Sequence, residues 1–276
     1  MTINTRDELI SALGNNSSRL VIDKASLSSQ VAGVFASMWR ATGQPGQGAI
    51  PTSAAVPTHA LLGAVNFAQQ TGPATSYLAW LAVACSTITT VEVHDRLAHY
   101  GGLSFNTTSG QTLTGMDLST LAPSAARIGS ANYDDVQWWL EVYTAGGATA
   151  SNATINVTFD DASTGNLSVI AVGGTLGAGR CYSVDALRTT AQQGKNIRGI
   201  NSVTLSANTG TAGNFGFTAT RPRTTVPIIL ANRAEERDWA GLGLPEIPND
   251  SCLFYMMLCT TTSTGTLRGG GKIIHG

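Results

Sequence analysis

Residues 136–143 read VQWWLEVY, in which Val136, Trp138, Leu140 and Val142 alternate with Gln137, Trp139, Glu141 and Tyr143. A period of two sends successive side chains to opposite faces of an extended chain, so the segment predicts a strand with one face in a core. The alternation recurs where Ile155, Val157 and Phe159 interleave with Asn156, Thr158 and Asp160. A turn, DDASTG at 160–165, follows, and Leu167, Val169 and Ala171 resume the pattern. Residues 203–207 and 215–219 add further strands. Short alternating strands separated by turns predict a β-sandwich, with Trp138, Leu140, Ile155, Val157, Val203 and Phe217 in its core. Two other runs, YLAWLAVAC at 77–85 and CLFYMMLC at 252–259, are apolar on both faces and read as central strands. Each precedes a Thr-rich segment. Their likeness fits a sandwich in which an early and a late strand lie side by side.

The first fifty residues carry a different signal. Thr5-Arg6-Asp7-Glu8 has the form of a capping box, in which the Thr hydroxyl and the Glu carboxylate each take a backbone N–H of the first turn. Leu9, Ile10 and Leu13 then share a face and Gly14 offers a stop, which predicts a helix of two to three turns. That length is marginal in isolation, so the helix must dock on its own sandwich or on a neighbour. Residues 26–40 place Val31, Val34, Phe35, Met38 and Trp39 at helical spacing and predict a second helix. Gly43, Pro45, Gly46 and Gly48, with Pro51 and Pro57 beyond, read as a connector. The expected division is a helical arm and connector at 1–50 and a sandwich domain at 51–276.

Among the 276 residues, charged side chains make up 12%, about half the usual share, and the formal net charge is −1. Such a chain has no basic footprint for nucleic acid or an anionic membrane, and its weakly charged surface repels its own copies little. It lacks a basic leader followed by an apolar stretch, and no apolar run approaches a membrane span. Cys85, Cys181, Cys252 and Cys259 form no Cys-x-x-Cys pair and are expected as buried free thiols.

The densest polar cluster is Glu92, His94, Asp95, Arg96 and His99. On a strand His94 and Arg96 point to one side and Asp95 and Leu97 to the other, so the cluster does not converge as metal ligands or an acid–base pair would. Asp95 and Arg96 are expected to form an ion pair near the strand end, where Gly101-Gly102 turns the chain. NRAEERDW at 232–239 reads as a solvated loop or short helix, because adjacent carboxylates rarely face across a sugar. Neither a Gly-x-Ser-x-Gly elbow nor a phosphate loop occurs. The reading therefore expects no catalytic residue, no cofactor and no metal. Of the adjacent Trp138 and Trp139, one faces the core and the other faces out, where with Tyr143 it packs on another subunit, packs internally, or offers a platform to a glycan.

Residues 91–113, VEVHDRLAHYGGLSFNTTSGQTL, and 202–222, SVTLSANTGTAGNFGFTATRP, together resemble a group of tailed-bacteriophage virion proteins. DELISALGNNSSRLVIDKASL at 7–27 and NDSCLFYMMLCTTTSTGTLRGG at 249–270 belong to the same resemblance, which spans nearly the whole chain. It implies an antiparallel order, and with it a mainly β, jelly-roll-like sandwich carrying a short helical N-terminal arm. It also implies a structural role without chemistry, as a capsid-decorating, head-surface or tail-associated protein. The expectation is a decoration or cement protein on the outer surface of a phage head, made in the bacterial cytoplasm, with the major capsid protein and two further copies of itself as partners. Direct contact with nucleic acid or membrane is not expected. The interface is expected to use Leu9, Leu13, Phe35, Trp39, Trp139 and Tyr143. The alternative is a receptor- or carbohydrate-binding module of a tail, neck or head fibre, against which the lack of heptads counts.

Overall fold

The computed structural model describes residues 3–174 and 176–276. After helix α1 (Arg6–Asn15) come β1 (Ser17–Lys24), β2 (Phe35–Ser37), β3 (Gly43–Gln44), β4 (Ser76–Cys85), β5 (Thr89–Leu103) and β6 (Gln111–Thr112). Two single-turn helices, α2 (Leu118–Leu121) and α3 (Ala125–Ile128), lead to β7 (Gln137–Thr144), β8 (Asn152–Phe159), β9 (Thr164–Asn166), β10 (Ile170–Ala171) and β11 (Arg180–Ser183). The chain ends with β12 (Ile197–Leu205), β13 (Asn214–Ile228), β14 (Ala234–Asp238), α4 (Trp239–Leu242), β15 (Glu246–Ile247), β16 (Leu253–Leu258) and β17 (Leu267–His275).

The protein is mainly β and its named strands pair antiparallel, in a sandwich-like arrangement with a short N-terminal helix. A closed barrel, β11-β2-β16-β5-β13-β7, stands between a six-stranded sheet, β14-β4-β17-β1-β3 with β15 on β4, and a smaller sheet, β10-β8-β12-β6 with β9 on β8. The long strands β5 and β13 serve both sides. Leu97, Ala98, Phe215 and Phe217 join the core shared with the smaller sheet, whereas Val91, Val93, Val226 and Ile228 join the core shared with the larger one. The register between the two strands shifts at Ala219/Thr220 and again at Pro222/Thr224, bulges that let one ribbon serve two layers. All six residues expected in the core are buried in the first of these clusters. The four thiols are free and buried as expected.

Several expectations are corrected. The capping box at Thr5 is present and α1 forms, but Ile10 points to solvent, while Leu9 and Ala12 pack on Ala79 and Ile274 of the chain's own sheet. The second helix does not form. Phe35–Ser37 pairs with β11 on one side and β16 on the other, and Met38–Arg40 makes one 3-10 turn, because this sheet pairing supplies the backbone partners that a helix would otherwise supply. Nor do residues 3–50 lie apart as an arm. Strand β1 runs beside β17 over its whole length and buries Leu20 and Ile22, and the Gly-rich connector folds over Trp39. Gly48 and Gly63 leave room for that indole, since a Cβ on either would collide with its ring.

The two doubly apolar runs lie in different sheets. Strand β4 takes β17 as its late partner and β16 takes β5, so an early and a late strand do pair, though not the two expected. Residues 234–238 of the polar run form edge strand β14 rather than a loop. Val169 is exposed, and of the alternation expected at 167–171 only Ile170–Ala171 forms a strand, while β9 begins within the expected turn.

Candidate functional site

Strand β5 carries the polar cluster into the barrel, where its side chains divide by parity. Arg96 is fully buried and donates to Glu141, to the Tyr143 hydroxyl at 3.1 Å and to Thr218 Oγ1 at 2.8 Å. Its guanidinium carbon lies 4.5 Å from the Trp39 ring centroid and 5.0 Å from that of Phe254. Burial works against the charge, but Glu141 and Tyr143 outweigh it and hold Arg96 above its ordinary pKa. On the same side His94 Nε2 meets Glu92 at 2.7 Å and Nδ1 meets Thr220 Oγ1 at 3.0 Å. The indole N–H of Trp139 donates to that same Thr220 oxygen at 2.9 Å. Burial, reinforced by the Arg96 charge, lowers His99 to about 3, so its ring is neutral near pH 7.

Asp95 points the opposite way and is fully buried. Arg127, from α3, reaches its two oxygens at 2.8 and 3.1 Å, Arg223 of β13 donates at 3.0 Å, and the Cys252 backbone N–H adds a fourth bond at 2.8 Å. Burial alone would raise Asp95, and the two guanidiniums reverse the sign. The expected pair of Asp95 with Arg96 is therefore corrected. The pleat sends neighbouring residues to opposite faces, and each finds its counter-ion on another strand or helix. Nor is the cluster near a strand end, since β5 continues to Leu103.

Arg127 also lines a cleft of about 550 Å3. Its walls come from the segments before β4, around α2 and α3, and between β15 and β16. Val56, Leu121, Pro123 and Ile247 are its apolar lining, and Thr58, Ser124, Glu246 and Asp250 its polar rim. The same cleft reaches Ser76, whose hydroxyl is 2.9 Å from His275 Nδ1, while His275 Nε2 is 2.8 Å from Ser18 Oγ. Among the described residues no group of three or more His, Cys, Asp or Glu side chains is placed to hold a metal ion. Burial pushes the Cys252 thiol up to about 12 and Cys259 to about 11, which suppresses thiolate chemistry at both.

The six side chains expected at an interface are packed within the chain. Leu9 and Leu13 lie in the cluster under α1. Trp39, Trp139 and Tyr143 line the barrel interior with Phe35 against them, the Phe35 and Trp139 ring centroids 5.3 Å apart. Both Trp138 and Trp139 are buried, because β7 has the smaller sheet on one face and the barrel interior on the other. The residues that sequence reasoning missed are Arg127, Glu141 and Arg223. Arg127 and Glu141 left a faint signal, each a charge set between apolar neighbours in a chain poor in charge, and Arg223, within the polar run Arg221–Thr225, left none.

No family model matches this chain, and no curated protein matches it. Among solved structures, the VP2 subviral particle of infectious bursal disease virus aligns at 10% identity over 95% of this chain and 80% of that chain, with a TM-score of 0.17. The structure of the Gt strain of the same virus aligns at 9% identity over 95% and 81%, again with a TM-score of 0.17. At that score the backbones do not superimpose, and the likeness carries no argument about this protein.

Proposed function

We propose that this chain is a non-enzymatic structural protein of a bacteriophage virion, a decoration or cement protein that binds between major capsid subunits on the outside of the head as a homotrimer. The resemblance of four stretches of its sequence to phage virion proteins supports this, and one structural observation carries it. Ionic groups are spent inside, with Lys24, Asp95, Arg96, Arg127, Glu141 and Arg180 all buried, while large apolar side chains stand exposed on a surface already poor in charge. One such group is at the end of the β5–β13 ribbon. Thr89 pairs with Ile228, and the next residues outward, Ile88 and Ile229, are 51% and 71% exposed, with Leu230 beside them at 52%. An apolar tip of this kind is a docking anchor, and many modest anchors repeated over a lattice stabilise a shell through avidity.

The test replaces Ile229 and Leu230 with Glu and follows co-sedimentation with undecorated shells. The expected result is lost binding with an unchanged melting temperature, because exposed substitutions alter stability by about 0.5 kcal/mol or less. Undiminished binding excludes the tip as the docking surface. The alternative, a carbohydrate-binding fibre module, loses its aromatic platform now that Trp139 and Tyr143 are buried.

A further inference from the structure

We propose that the cleft over Arg127 binds an acidic saccharide, its carboxylate seated on Arg127 Nη1 and its hydroxyl groups on the rim. This goes beyond a role in the shell and does not depend on it.

The first observation is an unfinished set of hydrogen bonds. Arg127 is 2% exposed. Its Nε donates to Asp95, and its Nη2 is shared among Asp95, the Pro57 carbonyl and the Arg96 carbonyl. Nη1 donates to nothing among the described residues, although buried guanidinium nitrogens are ordinarily satisfied. It is also absent from the nitrogens that are sealed from solvent without a partner. Arg127 lines the cleft, which offers that free donor a route to a ligand.

The second observation is charge. Asp95 is one carboxylate held by two guanidiniums, Arg127 and Arg223, whose side chains are 2% and 5% exposed. The buried cluster therefore carries one positive charge more than it neutralises. An uncompensated buried charge is costly, and an anion arriving at Nη1 relieves it with a short, charge-assisted bond.

The third observation selects the class of anion. A volume of about 550 Å3 lies within the roughly 300–1,000 Å3 of small-ligand sites, and aliphatic walls with a few polar groups are their usual lining. Around the cleft, the hydroxyls of Thr58 and Ser124 make no hydrogen bond among the described residues, and Glu246 and Asp250 line it, the Asp250 carboxylate 3.8 Å from His59 Nε2. Two carboxylates accept from ligand hydroxyls and repel a multiply charged phosphate. No aromatic ring lines the cleft, so a nucleobase has nothing to stack on. A sugar ring bearing a single carboxylate satisfies Arg127 and the rim together.

The test titrates the full chain calorimetrically with a glucuronate-containing oligosaccharide, with the same oligosaccharide after its carboxyl is reduced to an alcohol, and with acetate. The expected result is saturable binding of the acidic oligosaccharide, at least tenfold weaker binding of the reduced one, and no measurable heat from acetate. Because Arg127 also holds Asp95, its replacement risks the fold. The blocking variant is Ser124→Trp, at an exposed position whose side chain caps nothing, which fills the cleft. It is expected to abolish binding and leave the melting temperature unchanged. Equal binding of the acidic and reduced oligosaccharides, binding undiminished in Ser124→Trp, or no binding by the unaltered protein overturns the proposal.

Discussion

Asp95 and Arg96 are sequence neighbours whose charges enter separate compartments, and each meets its counter-ion there. Inside the barrel Arg96 answers Glu141, and removing one partner strands the other where water does not reach. Glu141→Ala is expected to lower unfolding stability by about 3–5 kcal/mol, measured by chemical denaturation. A loss no larger than that of an exposed ion pair, about 0–1 kcal/mol, contradicts the assignment. Asp185 gives a pH signature of opposite character. Burial raises its carboxyl to about 6, although it accepts from the Trp138 backbone N–H at 2.7 Å. An acid whose folded pKa exceeds its unfolded value binds its proton more tightly when folded. Its contribution is therefore fully present below about pH 4 and is lost as pH rises through about 6. Asp185→Asn keeps the accepting oxygen and removes the charge, so at neutral pH it is expected to be more stable by up to about 3 kcal/mol. Its denaturation midpoint is also expected to vary less than that of the unaltered protein across this window. Identical pH profiles for the two proteins count against the reading. None of these pairings was legible in advance, because a strand's parity tells which side a charge takes but not which distant residue meets it there. That His94 and Arg96 share one side of the strand was legible from that parity alone.

At the scale of elements, what could be read followed from locality. The strands around Trp138, Ile155 and Phe217 and the capped helix at Thr5 are encoded by their own residues, and all are present. Residues 26–40 misled because apolar spacing near 3.6 is also what irregular chain gives when it drops successive side chains into several pockets. Here Phe35 and Trp39 enter the barrel, and pairing with β11 and β16 decides the backbone. Non-local pairing of this kind overrides helical spacing. The same fact changes the expected result of truncation. Deleting residues 1–48 strips β1 and β3 from the larger sheet beside β17, removes β2 from between β11 and β16, and takes Trp39 out of the barrel. The truncated chain is expected to be insoluble or to show no cooperative melting transition. A soluble product that melts within a few degrees of the full chain restores the picture of a detachable arm.

At the scale of the whole molecule, the edges of the open sheets are blunted. Strands β3, β6 and β10 are two residues long, and edge strand β14 carries Glu235, Glu236, Arg237 and Asp238. Short or charged edges resist strand-to-strand addition, so the proposed contacts would use side chains on the surface rather than extend a sheet. Low surface charge and exposed apolar groups such as Ile88, Ile229 and Leu230 suit that mode of contact. The sandwich class was legible from alternating segments, whereas the central barrel was not, because closure depends on the two long strands bending at bulges that no local pattern marks. The proposed role in a virion rests on sequence resemblance and on the character of this surface, and the most direct measurement is the stoichiometry of this chain in purified particles. Quantitative mass spectrometry against the major capsid protein is expected to find it in fixed proportion to the shell lattice, with an abundance of the same order as the capsid subunit. Its absence from purified particles, or its presence at only a few copies per particle, contradicts a decorating role.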